Sequence, residues 1–350
     1  MKICFVLNSI PLETCQTSVL LIKKAHQRGH QVYVMGVCGF IFNQTTGISL
    51  RCKKIPDNLK ATAIQDFWEQ VQHKSTAYEV VPSKRMDIVF LRNNPTEEPN
   101  ERCWAQHSGV AFGRMIQESG VLVLNDAFGL SHAFIDKLYF EELPAAIKPN
   151  SLITRNREEI LKFWEENNYK MVLKPLEGSG GKNVYKIGKR KSNLNQIIQT
   201  IQTKGYVIAQ EYIPESKEGD IRVILMNGKI LEENGEQAII HRTSMDKTEF
   251  RNNLSLGAIP KKGSITPAIE HIVSLIAPKL VRDGLFFVGL DIVQDKLLEL
   301  NILSPGGIDH GKVTGMTDFA DTIIAAIERK LQYKKESNNQ LSNRILATME

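Results

Sequence analysis

The chain has 350 residues, 42% of them hydrophobic and 24% charged, with a formal net charge of +5. That length supports two or three domains, and the composition excludes a disordered or fibrous chain. Lys and Arg are scattered through helical stretches rather than gathered in a stripe, which argues against a nucleic-acid partner, and no apolar run is long enough for a membrane span.

Five cysteines (Cys4, Cys15, Cys38, Cys52, Cys103) sit in the first third, irregularly spaced and without a C-x-x-C pair. They read as reduced thiols rather than a disulfide or zinc framework. Met1-Lys2 leads straight into an apolar strand with no leader pattern, so a cytoplasmic protein is expected.

The opening residues predict strand, helix, strand: Ile3 to Leu7, Thr17 to Gln27 with a stop at Arg28-Gly29, and Gln31 to Met35. Such a βαβ unit implies a parallel sheet covered by helices. Residues 41–80 give no clear pattern. Asp87 to Leu91 and Val121 to Asn125 predict further buried strands, completing an N-terminal α/β domain over residues 1–126.

A second unit, 127–215, begins with a predicted helix from Ser131 to Leu143 that carries Lys137. Asn156 and Glu159 have the spacing of a capping box for a helix over Arg157 to Glu166. The strand Met171 to Pro175 runs into a glycine-rich turn. Asn183 to Ile187 (strand), Leu194 to Thr203 (helix) and Tyr206 to Tyr212 (strand) follow.

The third unit, 216–331, has a hairpin centred on Asn227-Gly228, a polar stretch from Thr243 to Gly257, a helix from Thr266 to Arg282 and a second hairpin. A helix from Asp318 to Leu331 and a polar tail, 332–350, complete the chain, with Lys334 to Asn343 expected to fray.

The second hairpin is the most informative segment. Phe286 to Val293 and Lys296 to Ile302 flank a Gln294-Asp295 turn, so Asp291 falls opposite the Leu298–Leu300 region. Glu299 and Asn301, two apart, share a face, with Leu298, Leu300 and Ile302 on the other. Two carboxylates and an amide in an apolar hairpin are the oxygen donors that suit Mg²⁺. A solvated hairpin with one polar face reads equally well on these residues alone.

Other segments carry weaker signals. Lys174 ends an apolar run and calls for an anion. Gly178, Ser179, Gly180 and Gly181 follow, and a loop of this kind lets backbone N–H groups approach phosphates, although it also reads as a plain turn. Gln210, Glu211, Tyr212 and Ile213 offer apolar walls and a backbone edge for a flat base, or an ordinary strand end. Asp220 and Arg222 share a strand face, where a surface ion pair is the simpler reading. Arg251 and Asn253 lie in the polar stretch, where an Arg could face phosphoryl oxygens.

In order, these segments are a helix with a Lys, V-L-K-P with a Gly-rich loop, Q-E-Y-I, G-D-x-R, R-x-N-L, G-L-D and E-L-N-x-x-S-P. That series resembles the ATP-grasp ligases, and most of all the bacterial glutathione synthetase family, from the N-terminus to about residue 330. The resemblance implies an N-terminal parallel-sheet α/β domain followed by a two-part ATP-grasp fold, a lid and a C-terminal antiparallel sheet, with ATP between the two sheets. It implies that Lys137 and Lys174 hold the ATP phosphates under Gly178 to Gly181. Gln210, Glu211, Tyr212 and Ile213 would bound the adenine, with Asp220 near the ribose. Asp291, Glu299 and Asn301 match ligands of Mg²⁺, with Mn²⁺ as a substitute. Arg222, Arg251 and Asn253 match catalytic positions, and Arg92, Ser304, Pro305 and Gly306 match positions toward the substrates.

The reaction so implied joins a small-molecule acid to an amine through an acyl phosphate, without a nucleophilic Ser or Cys, as glutathione synthetases do with γ-glutamylcysteine and glycine. Two alternatives stay open: a ligase adding an amino acid to another peptide, protein or carrier terminus, and an ATP-binding regulatory protein without turnover. No nucleic-acid or membrane partner is expected, and a homo-oligomer is compatible with the sequence. Around Leu303 to His310 and Arg251 the residues differ from the family's usual pattern, and these segments bear on the acid and the amine.

Overall fold

The computed structural model describes residues 1–14, 16–60, 63–73, 76–178, 180–190, 193–246, 250–310, 315 and 317–350. The N-terminal sheet is built from β1 (Lys2–Leu7), β2 (Gln31–Gly36), β3 (Phe40–Asn43), β4 (Gly47–Lys54), β5 (Tyr78–Pro82), β6 (Ile88–Leu91) and β7 (Leu122–Leu124). Its order is β3-β4-β2-β1-β6-β7, with β5 on the free edge of β4. The central strands pair in parallel, and β1 and β6 are near-continuous apolar runs because helices cover both faces. Residues 41–80, unreadable as a pattern, form an antiparallel extension whose outer strands leave Ile41, Phe42, Tyr78 and Val80 exposed. β4 alternates, burying Ile48, Leu50 and Cys52, but the flanking β3 and β5 are mostly exposed and show no such pattern.

The second sheet is antiparallel, ordered β10-β9-β11-β8, with β8 at Ser151–Thr154, β9 at Met171–Pro175, β10 at Tyr185–Ile187 and β11 at Val207–Glu211. The helix Arg157–Glu166 packs on it, capped by Asn156, whose side-chain oxygen accepts from the Glu158 N–H. This unit has its own core, which includes Phe163, Trp164, Leu173, Ile198 and Val207.

The third sheet is also antiparallel: β12 (Asp220–Met226), β13 (Lys229–Ile230), β16 (Ile239–Thr243), β17 (Ile259–Lys262), β18 (Phe287–Val293) and β19 (Lys296–Asn301), in the order β17-β16-β12-β18-β19 with β13 on β12. A two-stranded ribbon, β14 (Glu232–Glu233) and β15 (Glu236–Gln237), lies between β13 and β16. Two hydrophobic clusters run without a break from the N-terminal sheet into this one; Val6 and Leu290 share one, Phe90 and Phe286 the other. Asn125, at the end of β7, fastens the two sheets. Its amide donates to the carbonyls of Phe287 (3.1 Å) and Ile302 (3.0 Å), and its oxygen accepts from the Phe287 N–H at 2.8 Å.

Two expectations are corrected. The single helix over Ser131 to Leu143 is two, Ala127–His132, started early by the Asp126 cap on the Gly129 N–H, and Asp136–Glu141, with the backbone leaving helical values at Ile135 (φ -93°, ψ 87°). This places Lys137 in a first turn. The tail does not fray: the long helix continues to Glu336, and a short helix, Asn343–Thr348, packs Leu346 and Ala347 into the core. Lys330 is the reason for part of this order. Fully buried, its ammonium donates to Asn227 Oδ1 (2.7 Å) and to the Met349 carbonyl (2.6 Å), over the face of Phe286. Among the described residues no helix is long and apolar enough to cross a membrane.

Burial, aided by Arg329 and opposed by Glu350, lowers Lys330 to about 7. The unfolded lysine keeps its proton to about pH 10.4. Between those values the unfolded chain binds more protons, so stability rises with pH. Lys330→Met removes this contribution, and wild type should therefore gain about 1–2 kcal/mol on the variant from pH 7 to pH 9 in urea titrations. A pH-independent difference would mean that the buried amine stays charged.

Candidate active site

The antiparallel registers of the third sheet set out a row of charges. Arg222 on β12 pairs with Asp291 on β18, which pairs with Glu299 on β19; Asp220 on β12 pairs with Arg242 on β16. Cross-strand partners lie side by side, and here the side chains meet. Arg222 grips Asp291 with both arms, Nε to Oδ1 at 2.5 Å and Nη2 to Oδ2 at 2.9 Å. Arg242 does the same to Asp220, at 2.6 and 2.9 Å, and its Nη2 also reaches Asp291 Oδ1 at 2.9 Å. Burial alone would raise Asp291, but the two guanidiniums outweigh it and hold the carboxyl at about 2. Asn301 Nδ2 approaches Asp291 Oδ2 at 3.5 Å.

The hairpin turns at Gln294-Asp295 as expected, with Gln294 at φ 52°. Its alternation does not hold. A bulge after Asp291 pairs Ile292 with Leu297 and Asp291 with Glu299, so Leu298 is the extra residue. Leu297 and Leu300 are buried, and Leu298 lines the cleft beside Glu299 instead of facing the core. The Glu299 carboxylate has no hydrogen-bond partner among the described residues.

The cleft between the second and third sheets is lined from above by Val172, Lys174, Gly178, Gly181 and the segment Gln210 to Ile213, and from below by Asp220, Asp291 and Glu299. Lys174 donates to Gln210 Oε1 at 3.1 Å. Burial lowers it to about 8, with Glu299 opposing and Lys137 assisting, as for an ammonium that lacks its anion. Lys137 Nζ donates to the carbonyls of Pro175 (2.9 Å) and Gly178 (3.0 Å), so it holds the glycine loop as well as lining the cleft. Gly178, Gly180 and Gly181 all have φ above +60°, and a Cβ at Gly181 would come within 2.7 Å of Asn253 Oδ1. Arg251 Nη1 donates to the Gly181 carbonyl at 2.9 Å, stitching the polar stretch to the loop. Ser179 lies outside the described residues. Tyr212 meets Phe250 edge-on, with Lys186 Nζ 3.9 Å from its ring centre.

The remaining expected residues sit beneath the cleft rather than in it. Arg92 is buried; its Nη2 donates to the Pro305 carbonyl (2.8 Å) and its Nε to Ser18 Oγ (3.3 Å), while Ser304 Oγ donates to the Arg92 carbonyl (3.0 Å). Arg222 Nη1 donates to the Gly306 carbonyl at 2.9 Å. Arg92, Ser304, Pro305 and Gly306 therefore engage one another and Arg222. Sequence reasoning missed Arg242, whose register opposite Asp220 is hidden by the turn and ribbon, residues 227–238, between β12 and β16. It also missed Lys182, Val184 and Phe250, which line the cleft without a motif.

Donor chemistry permits a hard cation here. Asp291, Glu299 and the Asn301 amide oxygen are neighbours, and Glu299 is uncommitted, although Asp291 is already shared by two arginines. Among the described residues no cluster of three His, Cys, Asp or Glu forms a second candidate.

Comparison with known proteins agrees with this geometry. Residues 1–130 match the prokaryotic glutathione synthetase N-terminal domain, and residues 136–314 match that family's ATP-grasp domain. The glutathione synthetase of Thermosynechococcus vestitus is 35% identical over 83% of this chain and 88% of its own length. That of Nostoc sp. is 30% identical over 95% and 99%, respectively. Among solved structures, D-cycloserine synthetase superposes with a TM-score of 0.59 at 13% identity, covering 94% of this chain and 99% of that one. D-alanine–D-alanine ligase from Bacillus anthracis, complexed with ATP, gives 0.52 at 13% identity over 96% and 99%. These structures share the ATP-grasp fold, and the fold with its relatives makes this chain a carboxylate–amine ligase. Two matched domains and relatives of 30% identity or more over most of its length make the chain a member of the prokaryotic glutathione synthetase family.

Proposed function

We propose that the chain joins γ-glutamylcysteine to glycine, using ATP and a divalent cation, through an acyl phosphate. The observation that carries this reading is the uncommitted Glu299 carboxylate. It lies opposite Asp291 across the hairpin, in the same cleft as Lys174 and the glycine loop.

Each group has a defined task. Lys174, short of an anion, would take up phosphate oxygens, and the loop held by Lys137 and Arg251 would close over them with its N–H groups. Asp291, Glu299 and Asn301 would hold Mg²⁺, which neutralises charge on the transferring phosphoryl group. The substrate carboxylate attacks the γ-phosphorus and ADP leaves; the amine then attacks the acyl carbon and phosphate leaves. Arg222 and Arg242 keep Asp291 ionised and the sheet in register, so their work is to position the metal-facing carboxylate.

Substrate identity is tested by phosphate release. γ-Glutamylcysteine and glycine together should release phosphate at least about tenfold faster than either alone, since acyl phosphate turnover needs the amine. Product from another acid and amine, with none from this pair, would overturn the assignment of substrates.

Glu299→Gln and Asp291→Asn should separate chemistry from structure. Glu299→Gln should lower turnover by roughly 10²-fold or more with no loss of stability. Asp291→Asn leaves two buried guanidiniums short of a partner and should also cost about 3 kcal/mol of stability, read by urea unfolding. Wild-type Mg²⁺-dependent rates in Glu299→Gln would sink the metal role.

Lys174→Met keeps the volume and removes the charge. ATP affinity should fall about 10- to 100-fold by calorimetry. Unchanged binding would make Lys174 a structural lysine.

A further inference from the structure

Lys174 is short of an anion although carboxylates stand close to it. A small cavity adjoining the cleft is lined by Lys174 together with Asp136, Glu141 and Glu299. Yet among the described residues the Lys174 ammonium has one hydrogen-bond partner, Gln210 Oε1, and no ion-pair partner. Two of the three carboxylates have evident places of their own. Asp136 opens the helix Asp136–Glu141, where a negative charge suits the first turn. Glu299 lies opposite Asp291 in the hairpin.

Glu141 is held back by bonds. Its Oε2 accepts from Lys148 Nζ at 2.8 Å, and its Oε1 accepts from Ser151 Oγ on β8 at 2.7 Å. The Lys148 side chain is 6% exposed. Its ammonium also donates to the carbonyls of Phe140 (3.2 Å) and Glu141 (2.8 Å). These end the helix that carries Lys137 in its first turn, and such carbonyls have no partner within a helix. Capping them needs only a donor and would be complete without the Glu141 carboxylate. The further bond from Lys148, with that from Ser151, decides where this carboxylate points.

The alternative position is the one beside Lys174, where Glu141 already favours the lysine's charge. A glutamate side chain turns about several single bonds, and opposite charges in a partly buried site attract strongly. Released from Lys148, Glu141 would swing to Lys174, and a phosphate would then have to displace it.

We propose that Lys148 is a positioning residue for nucleotide binding, which holds Glu141 off Lys174 and so keeps that ammonium open to phosphate. This rests on the reading of Lys174 as a phosphate-binding group and deepens it.

The test measures ATP affinity by calorimetry on the full chain. Lys148→Met should weaken binding about tenfold. Glu141→Gln alone should stay within about twofold of wild type, and Lys148→Met/Glu141→Gln should regain that affinity, because an amide carries no charge to compete for Lys174. Unchanged affinity in Lys148→Met overturns the proposal. So does a loss that persists in the double variant, which would make Lys148 a helix cap and nothing more. Should Lys148→Met fail to fold, Ser151→Ala leaves the cap in place and releases Glu141 from one side. A loss of about threefold there, relieved by Glu141→Gln, supports the proposal, and wild-type affinity overturns it. Lys174→Met separates this from the underlying reading. If Lys174→Met binds ATP as wild type does, the phosphate role fails and the role of Lys148 falls with it. If Lys174→Met loses affinity while Lys148→Met does not, only the role of Lys148 is overturned.

Discussion

Asp291 held between two guanidiniums is the constraint on which the site depends. The residue is 4% exposed, and its charge survives there only because Arg222 and Arg242 meet it from neighbouring strands. Charge-assisted contacts of this kind stabilise only if every partner is present, so they fix the register of β16, β12 and β18 together. Glu299 inherits its place from that register. Since two arginines already compensate Asp291, the uncompensated charge of the hairpin resides on Glu299, which is where a cation or phosphate complex gains most.

The N-terminal sheet is bound to this arrangement rather than appended to it. Asn125 satisfies three backbone groups of the catalytic sheet, and across the same boundary Arg92 donates to the Pro305 carbonyl while its own carbonyl accepts from Ser304 Oγ. With two apolar clusters shared by both sheets, relative motion there would have to break close packing. The two sheets form one platform, and the segment from Ser304 to Gly307 lies within it.

Much of this could be read from residue order. The βαβ opening, the strand before the glycine loop and the Gln294-Asp295 hairpin each have a local pattern with a direct physical cause. What escaped was non-local. Leu298 turned toward the cleft because of a bulge, which no alternation rule foresees. Arg242 found Asp220 through pairing across a long excursion. The Asp126 cap starts the first helix four residues early, and the break between Ala133 and Ile135 occurs without a helix-breaking residue. Lys334 to Asn343 looked polar enough to fray, yet the long helix runs on to Glu336 and the helix from Asn343 anchors Leu346 and Ala347 in the core, contacts with no local signature.

The second sheet, in contrast, keeps its core to itself. Its apolar packing is therefore complete without the platform. Among the described residues, bonds from Lys137 to Pro175 and Gly178 and from Arg251 to Gly181 cross the cleft. Lys137 and Arg251 thus tie the glycine loop across the cleft, while the core behind that loop stays separate from the platform.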